Sequence, residues 1–259
     1  MKLLLKKLYL RVTDLRHRWT RGVIPANWIP PVECSEFDRE TIRIVAQYTM
    51  TSPSRIWALI SSIHYIVNNE IKGDFCECGV WRGGSVLAIA RTLSNLGITD
   101  RKIWLYDTFD GMTKAGYQDF EIATGKSAME ILNDTEVGDG NNVWAVSSVA
   151  DVKNTLKLSS YPVENFVFVQ GPVEYTLKYF SPNSISLLRL DTDWYSSTLK
   201  ELHVLYPLIT DLGVLIVDDY GHWSGAKQAV DEYFGNLPFK PFFHVIDYTG
   251  RLLLKPFQN

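Results

Sequence analysis

Two short apolar runs in this sequence each end abruptly in carboxylates. The carboxylates are Asp191 and Asp193 after residues 186–190, and Asp218 and Asp219 after residues 214–217. The length and branching of the two runs are typical of buried strands in a parallel sheet. Because an open parallel sheet binds its ligands at the carboxyl ends of its strands, we expect the four carboxylates to form one negative site at that edge.

Such crowding of negative charge is unfavourable unless a cation lies among the carboxylates. Hard oxygen ligands at this density suit Mg²⁺ or a similar divalent ion, which keeps water or substrate oxygens in its remaining positions. We therefore expect a divalent metal at the carboxyl edge of the sheet.

The composition favours small-molecule chemistry in one large domain. A chain of 259 residues can bury a substantial core, and two equal domains are not expected. The formal net charge of −3 and the pI near 6.0 give no general basic field, so no nucleic-acid partner is expected. Cys34, Cys76 and Cys78 have neither the number nor the spacing of a zinc site or a disulfide framework, which indicates a reducing, cytoplasmic location.

The first 22 residues carry seven basic side chains among apolar residues at helical spacing. This pattern predicts a basic amphipathic helix, and a cleaved signal peptide is a poor fit. We favour packing of this helix on its own domain or on a second subunit, and we expect a homo-oligomer. Contact with an anionic membrane surface is the less favoured alternative.

From residue 73 onward, strand patterns alternate with helix patterns. Strands are predicted at residues 74–80, 102–107, 165–170, 186–190 and 214–217, and helices at 85–96, 149–158, 173–179, 197–208 and 224–234. A helix start is predicted at Ser52-Pro53, and a closing hairpin at residues 243–247 and 252–255. We therefore expect an α/β fold with a doubly wound, Rossmann-like parallel sheet and an antiparallel C-terminal edge. Residues 1–50 are expected to form a helical extension and residues 51–259 the main domain.

One connection is too long for a simple turn. About forty residues lie between Asp107 and Val149, far more than the few residues of a usual connection. Because this segment starts at the carboxyl end of the second predicted strand, beside the expected ligand, we interpret residues 110–148 as a lid rather than a disordered insertion.

A glycine-rich turn, ECGVWRGGS at residues 77–85, joins the first predicted strand to its helix. Glycines let the backbone approach a ligand, and the helix N-terminus supplies unpaired N–H groups. The spacing differs from the G-x-G-x-x-G of dinucleotide sites, and Glu77 precedes the first glycine by two residues. We interpret the turn as binding a ligand without a pyrophosphate that carries a positive amine or sulfonium group. A purely structural turn is the alternative.

Two further positions fit a nucleoside ligand. Asp107 ends the second predicted strand, where an acid can accept hydrogen bonds from both ribose hydroxyls. After the third strand, Gly171 and Val173 open a helix on which an adenine edge can rest. An ordinary turn is an equal alternative at these last two residues.

Four motifs, in order along the chain, resemble the TylF/MycF family of macrocin O-methyltransferases. They are FCECGVWRGGS at 75–85, YDTFDGM at 106–112, LDTDWYSST at 190–198 and DDYGHWSGA at 218–226, and the upstream segment YTMTS at 48–52 is also similar. The resemblance covers roughly residues 40–235. It implies a class I methyltransferase fold with S-adenosylmethionine as methyl donor, Mg²⁺ as cofactor and a sugar hydroxyl as acceptor.

The resemblance also implies roles for individual residues. Asp191, Asp218 and Asp219 match metal ligands, whereas Asp193 matches the acid proposed as base. The expected donor site, combining the resemblance with the interpretation above, comprises Met50, Thr51, Glu77, Gly79, Trp81, Gly83, Ser85, Asp107, Gly171, Val173 and Asp191.

A sugar hydroxyl needs activation because its pKa lies far above neutrality. Two neighbouring hydroxyls on Mg²⁺ would be held in place, Asp193 could take the proton, and a closed lid would exclude water. His222, close after the second carboxylate pair, is the rival base. Trp194, Tyr195 and Trp223 flank the acids and either stack on a sugar face or belong to the core.

Two other functions remain open from the sequence. Asp191-Thr192-Asp193 is also a D-x-D motif with which a metal-dependent glycosyltransferase could bind a nucleotide diphosphate. A non-catalytic binding protein on the same fold is the other alternative, since a fold does not determine a function. The glycine-rich turn and the second aspartate pair favour the methyltransferase.

Overall fold

The computed structural model describes residues 24–137 and 143–257 of the chain. The basic helix predicted for residues 1–22 lies outside this part. None of the helices in these two ranges has the length and hydropathy needed to cross a lipid bilayer.

A seven-stranded sheet forms the centre of the described structure. Its strands are β1 (Asp74–Cys78), β2 (Ile103–Asp107), β3 (Phe166–Gln170), β4 (Ile185–Leu190), β5 (Ile209–Val217), β6 (His244–Val245) and β7 (Arg251–Leu254). They lie in the order β3-β2-β1-β4-β5-β7-β6. The first five strands pair in parallel, whereas β7 pairs antiparallel with both β5 and β6. The predicted doubly wound sheet with an antiparallel C-terminal edge is therefore confirmed.

Helices cover both faces of this sheet. They are α1 (Glu36–Val45), α2 (Pro53–Asn68), α3 (Gly84–Asn95), α4 (Ala128–Asn133), α5 (Val149–Leu156), α6 (Val173–Thr176), α7 (Tyr195–Leu205) and α8 (Ser224–Gly235). Successive residues of a strand point to opposite faces. Leu187 packs in the core with α1, α2, α3 and α5, whereas Leu188 packs in the core with α7 and α8. Burial of β4 on both faces explains its unbroken apolar character.

Local sequence sets the start of α2, the helix that precedes the sheet. Ser52 Oγ accepts a hydrogen bond from the N–H of Arg55 at 3.2 Å, and Pro53 occupies the first turn. The helix start predicted at Ser52-Pro53 is confirmed. This cap also places Arg55 on the first turn of α2, from which its side chain reaches the carboxyl edge of the sheet.

Some predicted elements are shorter in the structure. The predicted helix at 173–179 ends at Thr176, and the predicted strand at 243–247 contains only His244–Val245. The strand stops because Asp247 Oδ1 accepts hydrogen bonds from the N–H groups of Thr249 and Gly250, at 3.0 and 2.8 Å. These bonds turn the chain before the ladder can lengthen.

The long connection between β2 and α5 contains α4, a helix that we did not predict. Its first turn carries a capping box, because Ser127 N–H donates to Glu130 Oε2 at 3.3 Å. The connection also forms antiparallel bridges between Phe120 and Ser127 and between Glu121 and Trp223. Its described part is therefore folded against the edge of the sheet.

The strand register brings the acid-bearing ends to one level. Leu190, the last residue of β4, lies beside Cys78 of β1 and Val217 of β5. The residues that follow these strands therefore emerge together, as expected from the two acid-ended runs.

Gly79 allows β1 and β4 to end this close to each other. Its φ is +85°, and a Cβ at this position would lie 1.9 Å from the backbone oxygen of Asp191. No other residue type satisfies both constraints, because a side chain would overlap the backbone of the next strand.

We predict that Gly79→Ala lowers the free energy of unfolding by about 3 kcal/mol or more, since a steric overlap adds to the ~1–2 kcal/mol cost of a left-handed alanine. Gly97→Ala is the matched control, because Gly97 has φ +72° but nothing within 4 Å of an added Cβ. Its cost should stay near ~1 kcal/mol. Urea denaturation of both variants makes the comparison, and equal losses would contradict the close approach.

Candidate active site

The buried guanidinium of Arg189 lies at the centre of the carboxyl edge. Arg189 Nη1 lies 2.5 Å from Glu77 Oε1 and 2.7 Å from Asp191 Oδ2. Arg189 Nη2 lies 2.7 Å from Asp218 Oδ1 and donates a hydrogen bond to Thr51 Oγ1 at 2.8 Å. One cation thus joins acids at the ends of three neighbouring strands to the segment before α2.

A second buried guanidinium, Arg55, joins the C-terminal hairpin to the same edge. Arg55 Nη1 pairs with Asp218 Oδ2, and Arg55 Nε lies 3.1 Å from Asp247 Oδ2. Asp247 also accepts a hydrogen bond from Ser52 Oγ at 2.7 Å. The Thr249 hydroxyl donates to the backbone oxygen of Asp218 at 2.6 Å. Both carboxylate oxygens of Asp218 therefore have an arginine partner.

Asp191, Asp193 and Asp219 form a compact group beside these ion pairs. Each offers a carboxylate oxygen, and the three oxygens lie within 4.8 Å of one another. The structure thus brings Asp193 into the group, whereas Asp218, the third metal ligand expected from the sequence, lies between the two arginines.

Carboxylates this close resist ionisation in the absence of a cation. Burial raises the pKa of Asp191 to about 6, although Arg189 lowers it. Burial, and then the charge of Asp191, raise the pKa of Asp193 to about 8. Burial and the charge of Asp193 raise the pKa of Asp219 well above its ordinary value. A divalent cation would remove this penalty.

The local charges of the described residues do not balance. The acids are Glu77, Asp191, Asp193, Asp218, Asp219 and Asp247, and the guanidinium groups are Arg55 and Arg189. When all six carboxylates are ionised they outnumber the two guanidinium groups, so that state needs further positive charge from ligands.

Asp193 has a backbone conformation that is unusual for a residue with a side chain. Its φ is 66°, in the left-handed region, which aspartate adopts more readily than most residues. Such conformations persist where the surrounding structure enforces them, and they concentrate at functional sites. Here the conformation accompanies placement of Asp193 beside Asp191 and Asp219.

Asp107 organises the glycine-rich turn on the other side of the edge. Its Oδ2 accepts hydrogen bonds from the N–H groups of Val80 and Trp81, at 2.6 and 2.9 Å. Its Oδ1 accepts one from the N–H of Phe109 at 2.7 Å. The expected ribose acid therefore also holds the backbone of the turn.

Glu77, which we expected to face a positive ligand, has an internal cation in Arg189. Burial raises the pKa of Glu77 to about 8, against the lowering effect of Arg189. Its Oε2 atom is buried without a hydrogen-bond partner, and the residue lines the main cavity. One oxygen is thus used by the protein and the other is available to a donor group on a ligand.

A cavity of about 770 Å³ runs along the edge from the glycine-rich turn to the three aspartates. Most residues of the expected donor site line it: Met50, Thr51, Glu77, Gly79, Trp81, Ser85, Asp107 and Asp191. Gly171 and Val173 line a smaller adjoining cavity of about 60 Å³. Gly83 does not line either cavity. It faces α5 instead, since a Cβ there would lie 3.1 Å from Val152 Cγ1.

The connection between β2 and α5 closes one side of the main cavity. Trp194 and Trp223 pack edge to face, with ring centres 5.0 Å apart, in a cluster with Ala128 and Leu132 of this segment. The indole N–H of Trp194 donates to the backbone oxygen of Thr113 at 3.1 Å. Trp194 therefore belongs to the core beneath the segment, whereas Trp223 is buried but also lines the main cavity, so its contact with a sugar stays a prediction.

Asp119 anchors the same segment to α7. Its Oδ1 accepts a hydrogen bond from the N–H of Tyr195 at 2.9 Å, and its Oδ2 accepts one from Gly116 at 2.6 Å. Burial raises the pKa of Asp119, although these two N–H groups lower it. Gly225 of α8 leaves space for the carboxylate, since a Cβ there would lie 1.7 Å from Oδ1.

His222, the rival base, lines the main cavity between the connection from β2 to α5 and the C-terminal hairpin. Its Nε2 lies 3.9 Å from Glu121 Oε1, and its Nδ1 lies 3.4 Å from the Tyr248 hydroxyl. His222 also donates its backbone N–H to the oxygen of Asp219 at 3.0 Å. It therefore shares the main cavity with the three aspartates.

The sequence analysis did not predict Arg189 and Arg55 as residues of the site. A signal for Arg189 was visible, because a lone charge inside a buried strand requires a partner. Arg55 carried no such signal, since it follows a helix cap where polar residues are common.

The sheet order, the glycine-rich turn and the acids at the carboxyl edge define a Rossmann-like class I methyltransferase. The family model of macrocin-O-methyltransferase (TylF) matches residues 37–254, and the chain belongs to this family. The resemblance seen in the sequence is thus confirmed, and the protein is an O-methyltransferase enzyme. Membership excludes the non-catalytic alternative and favours methyl transfer over the glycosyltransferase.

Individual relatives agree with this assignment. Demethyldecarbamoylnovobiocin O-methyltransferase of Streptomyces niveus is 30% identical over 203 residues, which are 78% of this chain and 74% of the relative. A second relative, from Streptomyces olivaceus, is 28% identical over 203 residues, which are 78% of this chain and 74% of the relative. It is 8-demethyl-8-(2,3-dimethoxy-alpha-L-rhamnosyl)-tetracenomycin-C 4'-O-methyltransferase. The solved structure of the O-methyltransferase NovP superposes with a TM-score of 0.72 at 25% identity, covering 96% of this chain and 99% of NovP.

We predict that Asp119→Ala lowers the free energy of unfolding by about 1–2 kcal/mol, because the N–H at the start of α7 and that of Gly116 lose their acceptor. Asp110→Ala is the control in the same segment, at an exposed position, and should stay within about 0.5 kcal/mol of the original protein. Thermal or urea unfolding measures both. An unchanged free energy of unfolding for Asp119→Ala would mean that the carboxylate does not anchor this connection to α7.

Proposed function

We propose that the enzyme transfers the methyl group of S-adenosylmethionine to a sugar hydroxyl of a glycosylated small molecule or glycan precursor, with Mg²⁺ as cofactor. The three carboxylates that converge beside a cavity of about 770 Å³ are the observation that supports this proposal most strongly. The names of the relatives, one of which specifies a rhamnosyl substrate, support the sugar acceptor.

The donor set of the acid group fits a hard divalent cation. Asp191 and Asp219 would hold the ion, with the carboxylate of Asp193 beside them. Asp218 stays a predicted ligand that must give up an arginine contact to bind metal. When bound, Mg²⁺ would orient neighbouring acceptor hydroxyls and lower the pKa of the one to be methylated.

The other half of the cavity fits the donor. Asp107 would accept hydrogen bonds from the ribose through its remaining lone pairs, and Gly171 and Val173 would border the base in the smaller cavity. The buried, unpaired Oε2 of Glu77 would face the positively charged methionine end. S-adenosylmethionine supplies a methyl group on a positive sulfur, which the surplus of carboxylates attracts.

Asp193 is the base that we favour for the acceptor proton. It lies with Asp191 and Asp219, where a bound cation would keep its carboxylate ionised beside the acceptor hydroxyl. His222 would then contact the acceptor together with Glu121. The lid segment over the cavity would exclude water during transfer.

Metal and donor functions should separate by mutation. Asp219→Asn is expected to lower kcat at least ~100-fold because it removes a metal ligand, with little change in affinity for S-adenosylhomocysteine. Asp107→Ala should weaken that affinity ~10-fold or more, because it removes ribose contacts and loosens the turn. Calorimetry and methyl-transfer assays measure the two effects. Equal loss of donor affinity in both variants would contradict this division.

Metal binding should depend on pH in a defined direction. In the metal-free protein, folded Asp191 and Asp193 hold protons up to pH near 6 and 8, whereas the unfolded chain releases them near pH 4. The free energy of unfolding should therefore fall as the pH rises through this window. Added Mg²⁺ should raise the Tm more at about pH 8 than at about pH 6, because fewer protons compete. Thermal unfolding with and without chelator tests this, and a larger shift at the lower pH would contradict it.

A further inference from the structure

Glu201 is a carboxylic acid buried beneath the loop that carries the active-site aspartates. It lies on α7 and is 0% exposed. Thr192 Oγ1 lies 3.0 Å from Glu201 Oε1 and 3.1 Å from Oε2, so the hydroxyl donates to this carboxyl group. Thr192 is the residue between Asp191 and Asp193.

No basic side chain in the described part of the chain forms an ion pair with Glu201. Burial raises its pKa to about 8, while the hydrogen bond with Thr192 lowers it, and the thiol of Cys78 is a further hydrogen-bond partner. A buried acid without a cation is costly and is not needed to fill space, since leucine fills a similar volume. Its contact with Thr192 therefore suggests a role at the loop.

The backbone of the loop is left-handed at Asp193, where φ is 66°, and such a conformation persists where its surroundings hold it. The carbonyl of Thr192 is already fixed, since the N–H of Trp194 donates to it at 2.7 Å and Ser197 Oγ donates at 3.3 Å. Arg189 fixes the Asp191 side chain from the other direction. The hydroxyl of Thr192 gives α7 a second contact with this loop, through Glu201.

We propose that Glu201 is a positioning residue that holds Thr192 and thereby sets the carboxylates of Asp191 and Asp193 for metal binding and catalysis. This inference rests on the proposed function. Displacements of about 1 Å in a catalytic group are enough to cost large factors in rate. Glu201 itself contacts neither ligand in this scheme and acts only through Thr192.

The test compares Glu201→Leu, Glu201→Gln, Thr192→Val and the double variant Thr192→Val/Glu201→Leu. Calorimetry with Mg²⁺ alone, and separately with S-adenosylhomocysteine, gives affinities that do not depend on knowing the acceptor. Glu201→Leu should weaken Mg²⁺ binding ~10-fold and S-adenosylhomocysteine binding much less, because Asp107 and the glycine-rich turn also hold the donor. Glu201→Gln should restore most of the Mg²⁺ affinity, because its amide oxygen still accepts from the hydroxyl of Thr192.

The double variant decides whether the two residues act as one unit. If they do, the double variant should lose as much Mg²⁺ affinity as either single variant does. Its loss should not be the product of the two single fold-losses. Multiplied losses would overturn the inference. A Glu201→Leu protein with a lowered Tm and unchanged Mg²⁺ affinity would also overturn it, since that result describes a purely structural acid. If Glu201→Leu does not fold, Thr192→Val alone must show the loss.

Failure of the proposed function has a different signature. An original protein that binds no Mg²⁺ and transfers methyl groups at full rate in excess chelator would refute the metal role, and the inference with it. If the unmodified protein binds Mg²⁺ and both Glu201→Leu and Thr192→Val bind it with the same affinity, only the inference about Glu201 is refuted.

Discussion

The ion pairs of the buried Arg189 are the interaction on which the carboxyl edge of the sheet depends. They join acids that follow or end three adjacent strands, at Glu77, Asp191 and Asp218. These acids would repel one another strongly in an interior of low dielectric constant. Arginine suits the position because its planar group directs several N–H donors outward at once, which a lysine ammonium on a flexible stem does not reproduce.

The network divides the acids of the site into two groups. Asp218 and Asp247 are paired with arginines, whereas Asp193 and Asp219 lie in the compact group without such a salt bridge among the described residues. Asp191 belongs to both groups, because it contacts Arg189 and also faces the other two aspartates. The protein thus stabilises the fold and keeps negative charge for ligands within one cluster of side chains.

The sequence predicted the sheet and the convergence of the acids because both follow from local patterns. Apolar runs marked the buried strands, and parallel pairing then placed their acidic ends together. The charge pairing could not be predicted in this way, since Arg55 and Asp218 are 163 residues apart and meet only in the folded chain. The predicted ligand role of Glu77 and the predicted metal role of Asp218 stay predictions, and the contact that each makes with Arg189 could not be foreseen from local patterns. The helix α4 was not predicted although the sequence contains its capping residues, because it is short and lies within a long polar segment.

The C-terminal hairpin contributes Asp247 to the charge network of the site. During synthesis on the ribosome, this residue emerges after every other member of the cluster. Until then, Arg55 and Ser52 lack the partner that joins the start of α2 to the last strands. A nascent chain can therefore pair its five parallel strands before the charge network at their carboxyl edge is complete.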